Sequence, residues 1–145
     1  MQGLIGPLKE LAEFEELCKN KKKDAGMIRV CGCVNSQKSH MMYALGDGCK
    51  YKVIACSSET KAKQIYEEYR FLDSNTYLYP AKDFLFYQAD IRSKELVKQR
   101  MEGIQAVLSG EPVTVVTSLD GFMDHLAPKE SIAEKVLKVQ NDSVL

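Results

Sequence analysis

The chain has 145 residues, in which 20 Lys and Arg balance 20 Asp and Glu, so its formal net charge is zero. A balanced chain has no global positive field, which argues against a protein whose main task is gripping nucleic-acid phosphates and leaves room only for local basic patches. With 45% hydrophobic and 28% charged residues it has the composition of a folded domain, and no apolar run approaches the roughly 20 residues that a membrane-crossing helix needs.

A length of this order suits one domain that buries a core without disulfides or a structural metal. The five cysteines, Cys18, Cys31, Cys33, Cys49 and Cys56, are odd in number and contain no CxxC pair, and no signal peptide precedes them. They read as reduced thiols of a cytoplasmic protein. Cys31 and Cys33, two apart, fall on one side of a strand and are expected in the core rather than in a metal or redox site. His40 and His125 have no second ligand at a zinc-like spacing, so no metal site is expected.

Taken in chain order, residues 4–18 space Leu4, Leu8, Leu11, Phe14 and Leu17 at helical intervals, predicting an amphipathic N-terminal helix. Lys19, Lys21, Lys22 and Lys23, followed by Asp24 and Gly26, read as its cation-rich C-terminus and a turn, more a solvated helix end than a nucleic-acid patch. Met27, Ile28, Val30, Cys31 and Cys33 predict a buried strand over residues 27–33, followed by a turn and a helix over 39–45 that stops at Gly46-Asp47-Gly48. Residues 51–56 form the next strand, completing a β-α-β unit.

Ser58 is a suitable N-cap for a helix over 59–71 that buries Ala62, Ile65, Tyr66, Tyr69 and Leu72. A strand over 76–79 and a structured aromatic loop over 80–91, with Phe84, Phe86 and Tyr87, come next. Those rings could serve a partner, or cover the sheet edge within the domain. The stripe Leu96, Val97, Arg100, Met101, Ile104 and Val107 predicts a helix over 93–108 ended by Ser109-Gly110. A strand over 113–117 and a short helix over 119–126, N-capped by Ser118 and stopped before Pro128, follow. Residues 131–145 alternate weakly and are expected to enter a further strand. Strands alternating with helices predict an α/β fold with a mostly parallel sheet and helices on both faces.

The motif with a mechanism is Gly32-Cys33-Val34-Asn35-Ser36-Gln37-Lys38-Ser39, set between a predicted strand and a predicted helix. A phosphate-binding loop reads GxxxxGK[ST]: its backbone N–H groups cradle phosphates, the Lys reaches the β and γ groups, and the hydroxyl holds magnesium. Gly32, Ser36, Lys38 and Ser39 are therefore the candidate phosphate-binding residues. Gln37 stands where the second glycine belongs, at a cost of roughly 1 kcal/mol or more in positive-φ strain together with a steric obstruction. The strand over 113–116 runs into Thr117 and Ser118 rather than into a magnesium-orienting carboxylate. The plainer reading is that Lys38 and Ser39 open a helix. No nucleophile-and-base signature such as GxSxG is present, so no catalytic residue is assigned.

Tyr79-Pro80-Ala81-Lys82-Asp83, then Phe84-Leu85-Phe86-Tyr87, then Lys98-Gln99-Arg100-Met101-Glu102-Gly103, then VTVVTSLD over residues 113–120, together resemble the N-terminal module of the bacterial transcription-repair coupling factors, the Mfd family. That module is similar to the first domain of the excision-repair helicase UvrB, and the resemblance covers about residues 27–128. It implies a P-loop NTPase/helicase-like body whose nucleotide site is degenerate, which Gln37 suits. It also implies a parent protein that uses ATP and magnesium to translocate on DNA, displaces stalled RNA polymerase and recruits UvrA for nucleotide excision repair. The expected layout is an N-terminal helix and basic turn over 1–26, a UvrB-like domain over 27–130, and the first part of a truncated UvrA-binding-like domain over 131–145. Two other readings stay open: an ATP-binding P-loop NTPase or UvrB-type helicase domain, and an unrelated α/β domain with a small ligand at the strand carboxyl ends.

Overall fold

Among the described residues, the last strand in sequence lies in the middle of the sheet. In the computed structural model, which describes residues 5–22, 26–82, 90–126 and 128–135, the elements run α1 (Gly6–Lys9), α2 (Ala12–Lys22), α3 (Asn35–Leu45), β1 (Tyr51–Cys56), α4 (Glu59–Arg70), β2 (Thr76–Tyr79), α5 (Asp90–Leu108), β3 (Val113–Ser118), α6 (Leu119–Phe122) and α7 (Lys129–Lys135). The three strands pair in the order β1-β3-β2, and both pairings are parallel. Ile54 and Leu78 flank Val116 from either side. The expected α/β class with a parallel sheet is what the chain forms.

Parallel neighbours need crossover helices, and the sequence supplies them with local signals. Ser58 caps α4 by accepting a hydrogen bond from the Lys61 N–H at 3.2 Å, and Ala62, Ile65 and Tyr69 turn one face of that helix to the sheet. With Cys56 and Val116 they form the main core, to which Met42, Ile54, Tyr66 and Leu78 add. α5 lies against β2 and β3 on the opposite face. The helical cover expected on both faces is incomplete at β1, where Tyr51 and Val53 face outward and are more than half exposed.

A second apolar cluster, Ile5, Phe14 and Ala44, joins α1 and α2 to α3. The predicted N-terminal helix is divided at Leu11, leaving a four-residue α1 that begins with Pro7 in its first turn. The cationic end of α2 has a specific partner: Lys21 Nζ donates to the carbonyls of Leu45 at 2.6 Å and Asp47 at 3.1 Å. It thus serves the orphan carbonyls at the end of α3 as well as its own helix.

Two expectations are corrected. Residues 27–33 form no strand; they run irregularly, and Met27, Ile28 and Val30 are exposed. Gly32 at φ +87° takes the backbone out of the extended region just where a ladder would continue. Residues 131–135, expected to enter a strand, are helical within α7. Phe84, Phe86 and Tyr87 lie outside the described residues.

At the amino end of the sheet a partly buried network closes the α4–β2 connection. Asp73 Oδ2 accepts from Lys52 Nζ at 2.8 Å and from Thr114 Oγ1 at 2.9 Å, while Oδ1 accepts from the Asn75 N–H at 3.1 Å. Burial alone would raise the Asp73 carboxyl; these three donors outweigh it and hold it below its ordinary value of 3.8. Burial also pushes the neighbouring Tyr69 phenol up to about 12, so it stays neutral.

A lowered carboxyl contributes stability that is present above its unfolded-state value and is lost as pH falls through the folded-state value. Asp73→Asn therefore lowers Tm at pH 7, and the gap from wild type shrinks as pH drops below about 3.8. Thermal melts at pH 7 and pH 2.5 check this; an undiminished gap at the lower pH shows that the charge does not matter.

Candidate functional site

The turn from Gly32 to Ser39 leads directly into α3. Gly32 has φ +87° and open space around it, so nothing but its backbone conformation calls for glycine. Val34 is the extended N-cap, at φ −76° and ψ 165°, and offers no side-chain acceptor. Gln37 supplies a contact in the reverse direction: its Oε1 accepts the Val34 N–H at 3.3 Å. Gln37 thus uses its own side-chain amide to occupy a backbone donor of the turn.

Lys38 is exposed and lines a cavity of about 600 Å³ at the carboxyl end of β1, together with Gly32. Ser39 goes elsewhere. It is buried at 3% exposure, and its hydroxyl donates to Glu68 Oε2 on α4 at 2.7 Å. Glu68 Oε1 also accepts from Gln64 Nε2 at 3.0 Å. The Ser39 bond first and the Gln64 bond second hold the Glu68 carboxyl below the ordinary range. Ser36 is the second residue of α3, and its side chain lies outside the described residues. Of the four candidate residues, the fold brings Gly32 and Lys38 to one cavity and turns the Ser39 hydroxyl to a protein carboxylate.

The carboxyl ends of β2 and β3 carry a second constellation that sequence reasoning did not find. Glu59, in the first turn of α4, accepts from the Ala81 N–H at 3.0 Å and from the Ser118 hydroxyl. Ser118 Oγ in turn caps α6 by accepting the Gly121 N–H at 3.0 Å. Arg100, 7% exposed, donates to the Pro80 carbonyl, to the Tyr79 hydroxyl and to Asp124 Oδ2 at 2.9 Å, with its guanidinium 4.1 Å from the Tyr79 ring centroid. The available signal was its position: a cation on the apolar stripe of a helix needs a buried partner. Among the described residues no buried side-chain polar atom is left without a hydrogen-bond partner, and the bonds at this edge tie the ends of the strands to α4, α5 and α6.

Among the described residues no cluster of three or more His, Cys, Asp or Glu could hold a metal ion, and no helix is long and apolar enough to cross a membrane. No family model, curated protein or solved structure matches the chain.

Because the Ser39 hydroxyl ties α3 to α4, Ser39→Ala should lower folding stability by about 1 kcal/mol. Urea unfolding at pH 7 reads the effect. Unchanged stability shows that the bond to Glu68 contributes nothing and leaves the hydroxyl free for another role.

Close packing beneath α6 gives a second expectation. A Cβ on Gly121 would stand 2.5 Å from Thr117 Oγ1 and 3.2 Å from the Tyr79 carbonyl. Gly121→Ala should therefore destabilise the fold by about 1–3 kcal/mol, read in the same unfolding assay, and an unchanged midpoint refutes it.

Proposed function

We propose that the chain is a non-catalytic, UvrB-like N-terminal module of a transcription-repair coupling factor. The segments Tyr79–Tyr87, Lys98–Gly103 and VTVVTSLD carry the family resemblance. The observation that supports a structural rather than a catalytic role is the state of the phosphate turn: Gln37 occupies the Val34 N–H and Ser39 is engaged by Glu68. A turn whose donor and magnesium-holding hydroxyl are spent within the protein has lost two of the contacts that a nucleotide would use. In this reading ATP and magnesium serve a motor elsewhere in the parent translocase. DNA, RNA polymerase and UvrA are reached through that parent, and the module's own partner is the rest of the translocase.

One observation favours the second reading, an ATP-binding P-loop NTPase or UvrB-type helicase domain. Gly32 keeps the positive φ of a phosphate loop, and Lys38 faces the same cavity.

Titration calorimetry with ATP and magnesium separates the two. The wild-type chain gives no binding heat and Gln37→Gly gains it; saturable binding by wild type makes the NTPase reading the leading one. Mixing the chain with a coupling factor that lacks its own N-terminal module tests the partner, and failure to co-purify removes the module reading.

A further inference from the structure

The cavity beside the phosphate turn has a second chemistry. Three of the five cysteines, Cys31, Cys33 and Cys56, line it, and so do two cations, Lys38 and Lys61. No acidic side chain is among the described residues that line it. Neither lysine belongs to an ion pair among the described residues, and Lys61 Nζ has a neutral partner, Gln64 Oε1, at 2.9 Å. The cavity therefore places the Lys38 and Lys61 ammonium groups beside thiols, with Glu68 close enough to act electrostatically on Lys61 and Glu59 on Cys56. At about 600 Å³ it has the size of a small-molecule site.

The three thiols differ in access. Cys56 ends β1 at 8% exposure, and burial pushes its thiol up, which keeps it protonated and unreactive. Cys31 is exposed and open to any reagent from bulk water. Cys33 is half-buried, on the cavity wall and nearest in sequence to Lys38. The irregular backbone on which it sits makes no strand ladder, so an adduct there breaks no sheet pairing.

We infer that Cys33 is a thiolation site for a small, carboxylate-bearing disulfide, whose carboxylates are held by Lys38 and Lys61. The Cys33 thiolate attacks one sulfur of the disulfide. A protein–ligand S–S bond forms as the reagent's own S–S bond breaks, and the second half leaves as a thiolate that takes up the proton Cys33 released. The disulfide is itself the oxidant, so no further reactant is needed.

Oxidised glutathione, which is anionic, and cystamine, which is cationic, are the two probes. After quenching by alkylation, peptide mass mapping gives the rate at each cysteine, with half-buried Cys49, which does not line the cavity, as the internal reference. Relative to Cys49, Cys33 reacts about fivefold faster with oxidised glutathione than with cystamine. Lys38→Gln combined with Lys61→Gln removes that preference while the circular dichroism spectrum is retained. Equal rates with the two probes, an adduct that forms at Cys56 instead, or a preference that survives the double substitution overturns the assignment.

Discussion

Among the described residues, every backbone hydrogen bond between strands involves β3, so this one segment has to be buried on both faces and still satisfy its own polar side chains. Val116 meets the condition as a hydrocarbon at 0% exposure, packed beside Ile54 and Leu78. Thr114, Thr117 and Ser118 meet it chemically. Their hydroxyls donate to Asp73, to the Tyr79 carbonyl and to Glu59 respectively. An unpartnered buried hydroxyl costs more than the bond it makes is worth, so each of these groups fixes a neighbour as much as it is fixed. The hydrophobic core sets where β3 lies, and its hydroxyls tie both ends of the sheet to the connections beside them.

The carboxyl edge shows how far this coupling extends. Glu59 starts α4, accepts from the residue after Pro80 and from the end of β3, and so joins two strand ends to one helix start. Arg100 reaches the same edge from α5. By contrast, the turn between Gly32 and α3 has a free lysine-lined cavity and no backbone ladder. With a rigid edge beside a less constrained turn, exposed Gln37 can vary without cost to the core clusters, neither of which includes it.

Much of the framework was legible because its signals are local. Ser58 before an apolar stripe marks α4, the β-branched run of residues 113–118 marks β3, and strands alternating with helices specify a parallel sheet. What depends on distant partners was not legible. Met27, Ile28 and Val30 have the composition of a buried strand, yet periodicity cannot say whether an edge is available to pair with, and Gly32 turns the chain away. The Lys21 ammonium was read as a helix end, with nothing in the sequence to name Leu45 and Asp47 as its acceptors. In the turn before α3 the departure of Gln37 from the GxxxxGK[ST] pattern was visible, whereas the commitment of Ser39 to Glu68, 29 residues away, was not.

The central place of β3 also has a consequence in time. During synthesis β1 and β2 emerge first, but neither pairs with the other. Their shared partner begins at Val113, more than 30 residues after β2 ends at Tyr79. Sheet pairing of this non-local kind is slow, and the strands that wait for it expose apolar surface. On the ribosome the chain therefore passes through a stage at which α1 to α4 can form helix while Val53, Ile54 and Leu78 remain unpaired, and this interval is when a nascent-chain chaperone would find it.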